Sequence, residues 1–429
     1  MLKNYLKITW AVMKRRKFYT FISLFGISLT LTILIVLTAF IDSLLAPDYP
    51  EVHRNRSLYV QRVKLLDQTN NSSSINPLSP FFIKTYIKTL PLVEKVSMAT
   101  MAVPMNTYLN GQKGKVSIKY TDAEFWDIMQ FNFLEGKGLT LENVDKSDNA
   151  VVITGDLRDQ YFGKNQPVVG KTLEMDDIQY RIVGVVEGSP ITAVYAGGDI
   201  YMPCSLDKSP QKTGELSGRY HAIILAKSTN DLSNIQSDFI NMLHKVPLGN
   251  DKDVAQRKLG KSERSGDGFE PDTIVAHAER YSESFTSNMI DSTSSDTIFF
   301  TILSIFALLF MLLPALNLIN VNISRIMERA SEIGIRKAFG ASAGTLTVQF
   351  VIENVILTLL GGFVAILLST LVILYVNAKG IGPIKTMNLN INWFVVAVAM
   401  VLSLVFGLMS GAYPAWRMSK LPVVEALKN

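Results

Sequence analysis

Hydrophobic positions along the chain gather into four long uncharged runs, Phe18–Ile41, Ile298–Ile323, Asn354–Ala378 and Trp393–Trp416. Each is about 24 residues long, and a helix of that length covers ~36 Å, more than the ~30 Å hydrocarbon core of a bilayer. The pattern predicts membrane spans at 18–41, 297–323, 346–376 and 393–416. The first run exceeds the apolar region of a signal peptide, and no small-residue cleavage site follows it, so it reads as a span. Between the first two spans, residues 42–296 form a large polar segment whose apolar positions change period.

Alternation and β-branched runs in that segment predict strands at Arg56–Leu66, Lys115–Tyr120, Ala150–Thr154, Gln179–Val186 and His221–Lys227. Pro80–Thr89 has helical character. Asp231–His244 is an amphipathic helix, with Leu232, Ile235, Phe239 and Leu243 on one face. Asp67–Ser79 and Lys245–Glu270 are polar stretches that read as loops, the second of them mobile. The fold class that follows is an α-helical membrane protein with four transmembrane helices. A mixed α/β extracytoplasmic domain is inserted between the first and second of them.

Charge orients this arrangement. Residues 1–17 carry six Lys and Arg and no acid, and 324–345 and 417–429 are also net basic. By the positive-inside rule all three are cytoplasmic, which puts 42–296 and the short 377–392 loop outside. Leu2, Leu6, Trp10 and Met13 share one helical face, so residues 1–17 read as a short interfacial helix that anchors the topology. The sequence pI of about 9.0 comes from these basic flanks, and the outer segment is net acidic. A nucleic-acid partner is therefore not expected, because the positive charge forms no single binding face. Cys204 is the one cysteine, which excludes an internal disulfide and any multi-thiolate metal site.

Candidate chemistry is sparse. Gly170-Lys171-Thr172 ends like a phosphate-binding loop, but Asn165 stands where that motif needs its first glycine. The stretch also lies outside the membrane, away from ATP, so Lys171 reads as a solvated residue in a turn between two strands. His53, His221, His244 and His277 show no ligand spacing, and no G-x-S-x-G elbow occurs. Asp176-Asp177 reads as a pair of acids in a turn. No catalytic residue, metal site or bound cofactor is expected in this chain. Asn317, Asn320 and Asn322 near the end of the second span read as interhelical hydrogen-bonding groups. Glu353, at the cytoplasmic start of the third span, is the ionisable residue nearest the membrane interior.

Ser324–Ser342, "SRIMERASEIGIRKAFGAS", is the most informative segment. Ile323, Ile326, Ala330 and Ile333 fall on one helical face. Arg325, Glu328, Arg329, Glu332 and Arg336 fall on the other, Glu332 and Arg336 form an i,i+4 pair, and Gly340 can end the helix. The residues alone support either an interfacial helix joining two spans or a helix that docks a cytoplasmic partner.

Here the sequence resembles a family. "ERASEIGIRKAFGAS" with "QFVIENVILTLLGG" (Gln349–Gly362) and the closing "YPAWRMSKLPVVEALKN" resemble the FtsX-like permeases, although Pro422 comes one residue early. "FWDIMQFNFLEGKGLT", "VVITGDLRDQYFG", "PVVGKTL" and "YRIVGVVEGSP" resemble successive blocks of a MacB-type periplasmic core domain. The resemblance implies a non-enzymatic permease subunit in the bacterial inner membrane. ATP would be bound by a separate cytoplasmic P-loop ATPase, since this chain has no Walker motif. It also implies a dimer with a second copy or a related permease, and a periplasmic adaptor or outer-membrane partner is compatible with it. Glu328, Glu332, Ile333, Gly334, Arg336, Lys337 and Gly340 would form the ATPase-coupling helix, with Glu353 linking it to the third span. Small residues Ser23, Gly26 and Ser28 would allow close approach at the dimer interface. ATP-driven movement of the outer domains would then act on a drug, peptide or lipoprotein. The alternative within the same fold is an envelope sensor that detects an antimicrobial peptide or controls a cell-wall hydrolase. A membrane-tethered enzyme is the weakest reading, because no nucleophile–base–orienter set is present.

Overall fold

The computed structural model describes residues 10–11, 13–15, 17–69, 71–109, 112–190, 192–209, 214–248, 271–287, 296–310, 312, 335, 343–379 and 389–419. The chain divides into two compact units, Leu45–Asp296 and the flanking pair Met1–Leu44 with Thr297–Asn429.

The flanking unit opens with α1 (Lys17–Leu45). The Leu45–Asp296 unit begins with β1 (Ser57–Val60), β2 (Val63–Asp67), β3 (Ser72–Asn76), α2 (Pro80–Thr85), β4 (Val93–Thr100), β5 (Val103–Leu109) and β6 (Gln112–Thr121). It continues through α3 (Glu124–Ile128), β7 (Phe133–Gly136), α4 (Leu141–Asp145), β8 (Ala150–Thr154), α5 (Gly155–Phe162), β9 (Thr172–Met175) and β10 (Ile178–Val186). It closes with β11 (Ile200–Pro203), β12 (Tyr220–Ala226), α6 (Leu232–Leu243), β13 (Thr273–Ala276) and α7 (Tyr281–Ser287). The flanking unit resumes with α8 (Asp296–Phe310), α9 (Ala343–Lys379) and α10 (Trp393–Ser419).

Ten strands form one mixed sheet in the order β1-β12-β4-β6-β11-β8-β10-β9-β5, with β7 added on β10. Because β5 pairs with both β9 and β6, the last six strands of that order close on themselves as a ring. Val116, Ile118, Val151, Ile153, Ile182 and Ile200 fill its interior. Closure removes two sheet edges that would otherwise expose unpaired backbone groups. The open part of the sheet is covered on both faces. On β12, Tyr220, Ala222, Ile224 and Ala226 face one core, and Ile223 and Leu225 face another. A strand buried on both sides reads as a continuous apolar run, which is how "AIILA" stands in the sequence. The first core is roofed by α6, whose Leu232, Ile235, Phe239 and Leu243 are all buried as the spacing predicts.

Strands expected at Ala150–Thr154, Gln179–Val186 and His221–Lys227 appear as β8, β10 and β12, and the Lys115–Tyr120 strand appears as the longer β6. Three local readings change. The single strand expected at Arg56–Leu66 breaks at Gln61-Arg62, so that β1 joins the large sheet and β2 a separate three-stranded sheet, β13-β2-β3. The polar stretch Asp67–Ser79 contains β3, whose ladder to β2 satisfies its serine-rich backbone. Gly163–Thr172 links a helix to a strand rather than two strands. Asp176 and Asp177 are exposed and both have positive φ, 49° and 62°, as a two-residue β9–β10 hairpin requires. The loop expected over Lys245–Glu270 falls outside the described residues from 249 onward. So do most of residues 1–17 and all of 420–429.

α1 and the Val351–Lys379 stretch of α9 are each 29 residues long and apolar enough to cross a bilayer. α8 and the Trp393–Val405 part of α10 are shorter apolar helices. Ile27, Leu31 and Leu34 of α1 pack with Ala365 of α9 and Ala399 of α10.

Candidate functional site

The coupling residues expected from the sequence, Glu328, Glu332, Ile333, Gly334, Arg336, Lys337 and Gly340, lie outside the described residues, as do Asn317, Asn320 and Asn322. Glu353 is described. It sits three turns into α9 and is 2% exposed, with Gln349 and Asn354 buried beside it. The same helix continues as a small-residue seam, Gly361, Ala365 and Ser369, four residues apart. A Cβ on Gly361 would lie 2.7 Å from Ile27 Cγ2, so only glycine lets α1 approach this closely. Thr32 Oγ1, which donates to the Ser28 carbonyl of its own helix at 2.7 Å, also lies 3.3 Å from the Ala365 carbonyl across the contact. This is small-residue packing of the kind apolar helices use in place of a hydrophobic driving force.

That contact also changes one expectation. Ser23 and Ser28 are 1% and 5% exposed, buried within this single chain. The face they occupy is already taken by intrachain packing, so they do not offer close approach to a second copy.

The Leu45–Asp296 unit holds a second polar constellation, which the sequence did not single out. Just after α1, Glu51 and Arg54 form a buried ion pair at 2.8 Å. Every strong polar atom of the pair is used. Glu51 Oε1 accepts from the Tyr195 and Ala196 amides, both at 2.8 Å, and Arg54 donates to the Ala46 and Thr192 carbonyls, both at 2.7 Å. The guanidinium lies 4.1 Å from the Tyr281 ring centroid. Such a pair is retained because breaking it would strand a charge in low dielectric.

Lys119, on β6, is wholly buried and donates from Nζ to the Thr100 carbonyl at 2.7 Å. Burial pushes its ammonium down from the ordinary 10.5 to about 7, with Glu51 acting in the other direction. His221, on β12, is 3% exposed, and its ring lies 5.2 Å from that of Tyr195. Burial, and then Lys119, hold the imidazole well below its usual range, so it is neutral. Neither Nδ1 nor Nε2 has a hydrogen-bond partner among the described residues. A buried polar group left without a partner costs about 1–3 kcal/mol. Cys204 is half-buried, and burial pushes its thiol up to about 12, which makes it a poor nucleophile. Among the described residues no group of three or more His, Cys, Asp or Glu could hold a metal ion.

Two helices long and apolar enough to cross a bilayer accompany a large mixed α/β unit. Comparison with known families resolves the class. Residues 20–241 match the MacB-like periplasmic core domain and residues 304–423 the FtsX-like permease C-terminal domain. The chain belongs to the MacB/FtsX-type family of ABC transporter permeases. It is similar to the uncharacterized ABC transporter permease YknZ of Bacillus subtilis, at 23% identity over 81% of this chain and 79% of that protein. It is also similar to the macrolide export ATP-binding/permease protein MacB of Hahella chejuensis, at 22% identity. That match takes in 98% of this chain but spans only 59% of the relative's length. The solved periplasmic region of MacB from Actinobacillus actinomycetemcomitans is similar at 18% identity, over 44% of this chain and 84% of that one, with a TM-score of 0.33.

Proposed function

We propose that this chain is the permease subunit of an ABC-type export or mechanotransmission complex in the bacterial inner membrane. In this reading it spans the bilayer four times, with both termini cytoplasmic and the Leu45–Asp296 unit in the periplasm. A separate cytoplasmic P-loop ATPase docks on the 324–345 helix through Glu328, Glu332, Arg336 and Lys337. Two permease copies, or this chain and a related permease, pair in the membrane, and the moving outer units handle an envelope substrate.

The observation that carries the reading is α9. It runs unbroken from Ala343 to Lys379, 37 residues, or about 55 Å, where a bilayer core needs only ~30 Å. Its first turns therefore extend past the hydrocarbon toward the proposed docking loop. Glu353 is buried at that end and the Gly361–Ala365–Ser369 seam follows on the same rod. A push at the loop end of a continuous helix moves its packed seam as one body, since tightly packed interfaces transmit displacement.

The test replaces Cys204 with Ser, places a photo-crosslinker on a single cysteine introduced at Ser331, and irradiates native membranes. Capture of a P-loop ATPase is the expected result. Capture of lipid or of a second permease copy alone, at full labelling, would sink the docking assignment and favour the sensor reading.

A further inference from the structure

Among the described residues, two cavities of the Leu45–Asp296 unit can be compared. The larger, about 610 Å³, sets Arg62, Lys64 and His277 against Glu279, Glu283 and Asp296, so its charges offset one another. The second, about 460 Å³, differs in sign and in chemistry. Its wall carries Arg62, Arg219 and His221 on the polar side and Ile75, Met101 and Val103 on the apolar side. No aspartate or glutamate lines it among the described residues. Its volume falls within the roughly 300–1,000 Å³ of ordinary small-molecule sites.

We propose that this cavity binds an anionic amphiphile, a molecule with one carboxylate or phosphate head on a short apolar body. Three independent features converge on that class. His221 is nine-tenths buried, lines the cavity, and has neither ring nitrogen engaged by a described residue. A neutral imidazole keeps one N–H to donate to an acceptor oxygen. The two guanidiniums supply charge: Arg219 is held in place by Asp207 at 3.2 Å, and Arg62 donates to the Ser287 carbonyl at 3.0 Å. A guanidinium carries its N–H donors in a planar fork, the geometry that suits a carboxylate or phosphate. Ile75, Met101 and Val103 are 43%, 40% and 46% exposed, an apolar strip facing solvent that an acyl or aryl body would cover. The proposal goes beyond the permease reading and stands whether or not an ATPase docks.

The test uses the full chain in lipid nanodiscs with a diazirine-bearing decanoate as the probe. After irradiation, adducts are mapped by peptide mass spectrometry. Labelling is expected on the segment that holds Met101, in the β4–β5 turn, and Val103, the first residue of β5. Unlabelled decanoate or decyl phosphate should compete it away, and decanol and decylammonium should not. Competition by one anion alone would support the proposal and name the head group. Met101→Glu, an exposed change that sets a carboxylate in the cavity, should cut labelling at least tenfold, whereas Met101→Gln should retain it. His221→Gln should lower it at least fivefold. Absence of adducts on this segment, equal competition by decanol, or labelling that ignores Met101→Glu would overturn the assignment.

Discussion

Lys119 shows how a strand residue that looks solvent-facing can end up inside. Around it, Val116 and Ile118 point into the closed ring, so alternation alone assigns Lys119 to the outer face. That face is covered as well, by the aromatic core around Phe125 and Tyr201. One strand's own pattern cannot report a second layer supplied by residues far along the chain. The same holds for His221, which read in sequence as one of four unassociated histidines. Lys119 carries a pH signature of known sign. Its folded-state value of about 7 lies below the ordinary 10.5, so between these pH values the unfolded chain holds a proton that the folded chain has released. Stability from this residue therefore rises with pH across that window, by at most about 1.4 kcal/mol per unit, and is lost as pH falls toward 7. Lys119→Met removes the term. The melting temperature of the parent relative to this variant should climb between pH 7 and pH 9. A gap that stays constant would mean that the ammonium remains charged in the folded protein throughout.

Among the elements, α6 was legible down to its four buried residues, with bounds one residue wide at each end, because one periodic face meets one core. The α1–α9 contact was not. Gly361, Ala365 and Ser369 lie within an apolar run long enough to hide a packing face, and the smaller residues of α1 drew the interface toward a second copy instead. The two adjacent glycines of α9 make a sharp comparison. A methyl on Gly361 meets the β-branched Ile27, whereas one on Gly362 meets the Met400 thioether, which can swing aside. Gly361→Ala should therefore destabilise the purified protein by about 1–3 kcal/mol, the usual range for overpacking, and Gly362→Ala by clearly less. Adding Ile27→Ala to Gly361→Ala should recover most of the loss in apparent melting temperature. Failure of that rescue would place the strain elsewhere than at the Ile27 contact.

For the whole molecule, the apolar runs and the resemblance carried the membrane class and the family, since both are written in long stretches and ordered motifs. The closed ring was out of reach, because β5 and β9 meet through one residue pair, Leu109 and Met175, which leaves no local pattern. The Leu45–Asp296 unit contains three cores of its own. Expressed alone it should be soluble and melt cooperatively, and aggregation or a broad, featureless transition would show that it needs the helices to fold. Its strand order also bears on biogenesis. Residues 57–60 lie beside 222–225, residues 63–66 beside 273–276, and Tyr59 and Glu279 exchange backbone hydrogen bonds at 2.8 and 2.9 Å. A chain that emerges N-terminus first must keep β1 unpaired until β12 arrives, and one edge of β2, paired early with β3, open until β13 arrives. Throughout that wait "SLYV", buried on every side in the finished protein, is an open apolar edge. Nascent chains stalled before residue 273 should thus be the ones that holdase chaperones retain and quality-control proteases cut.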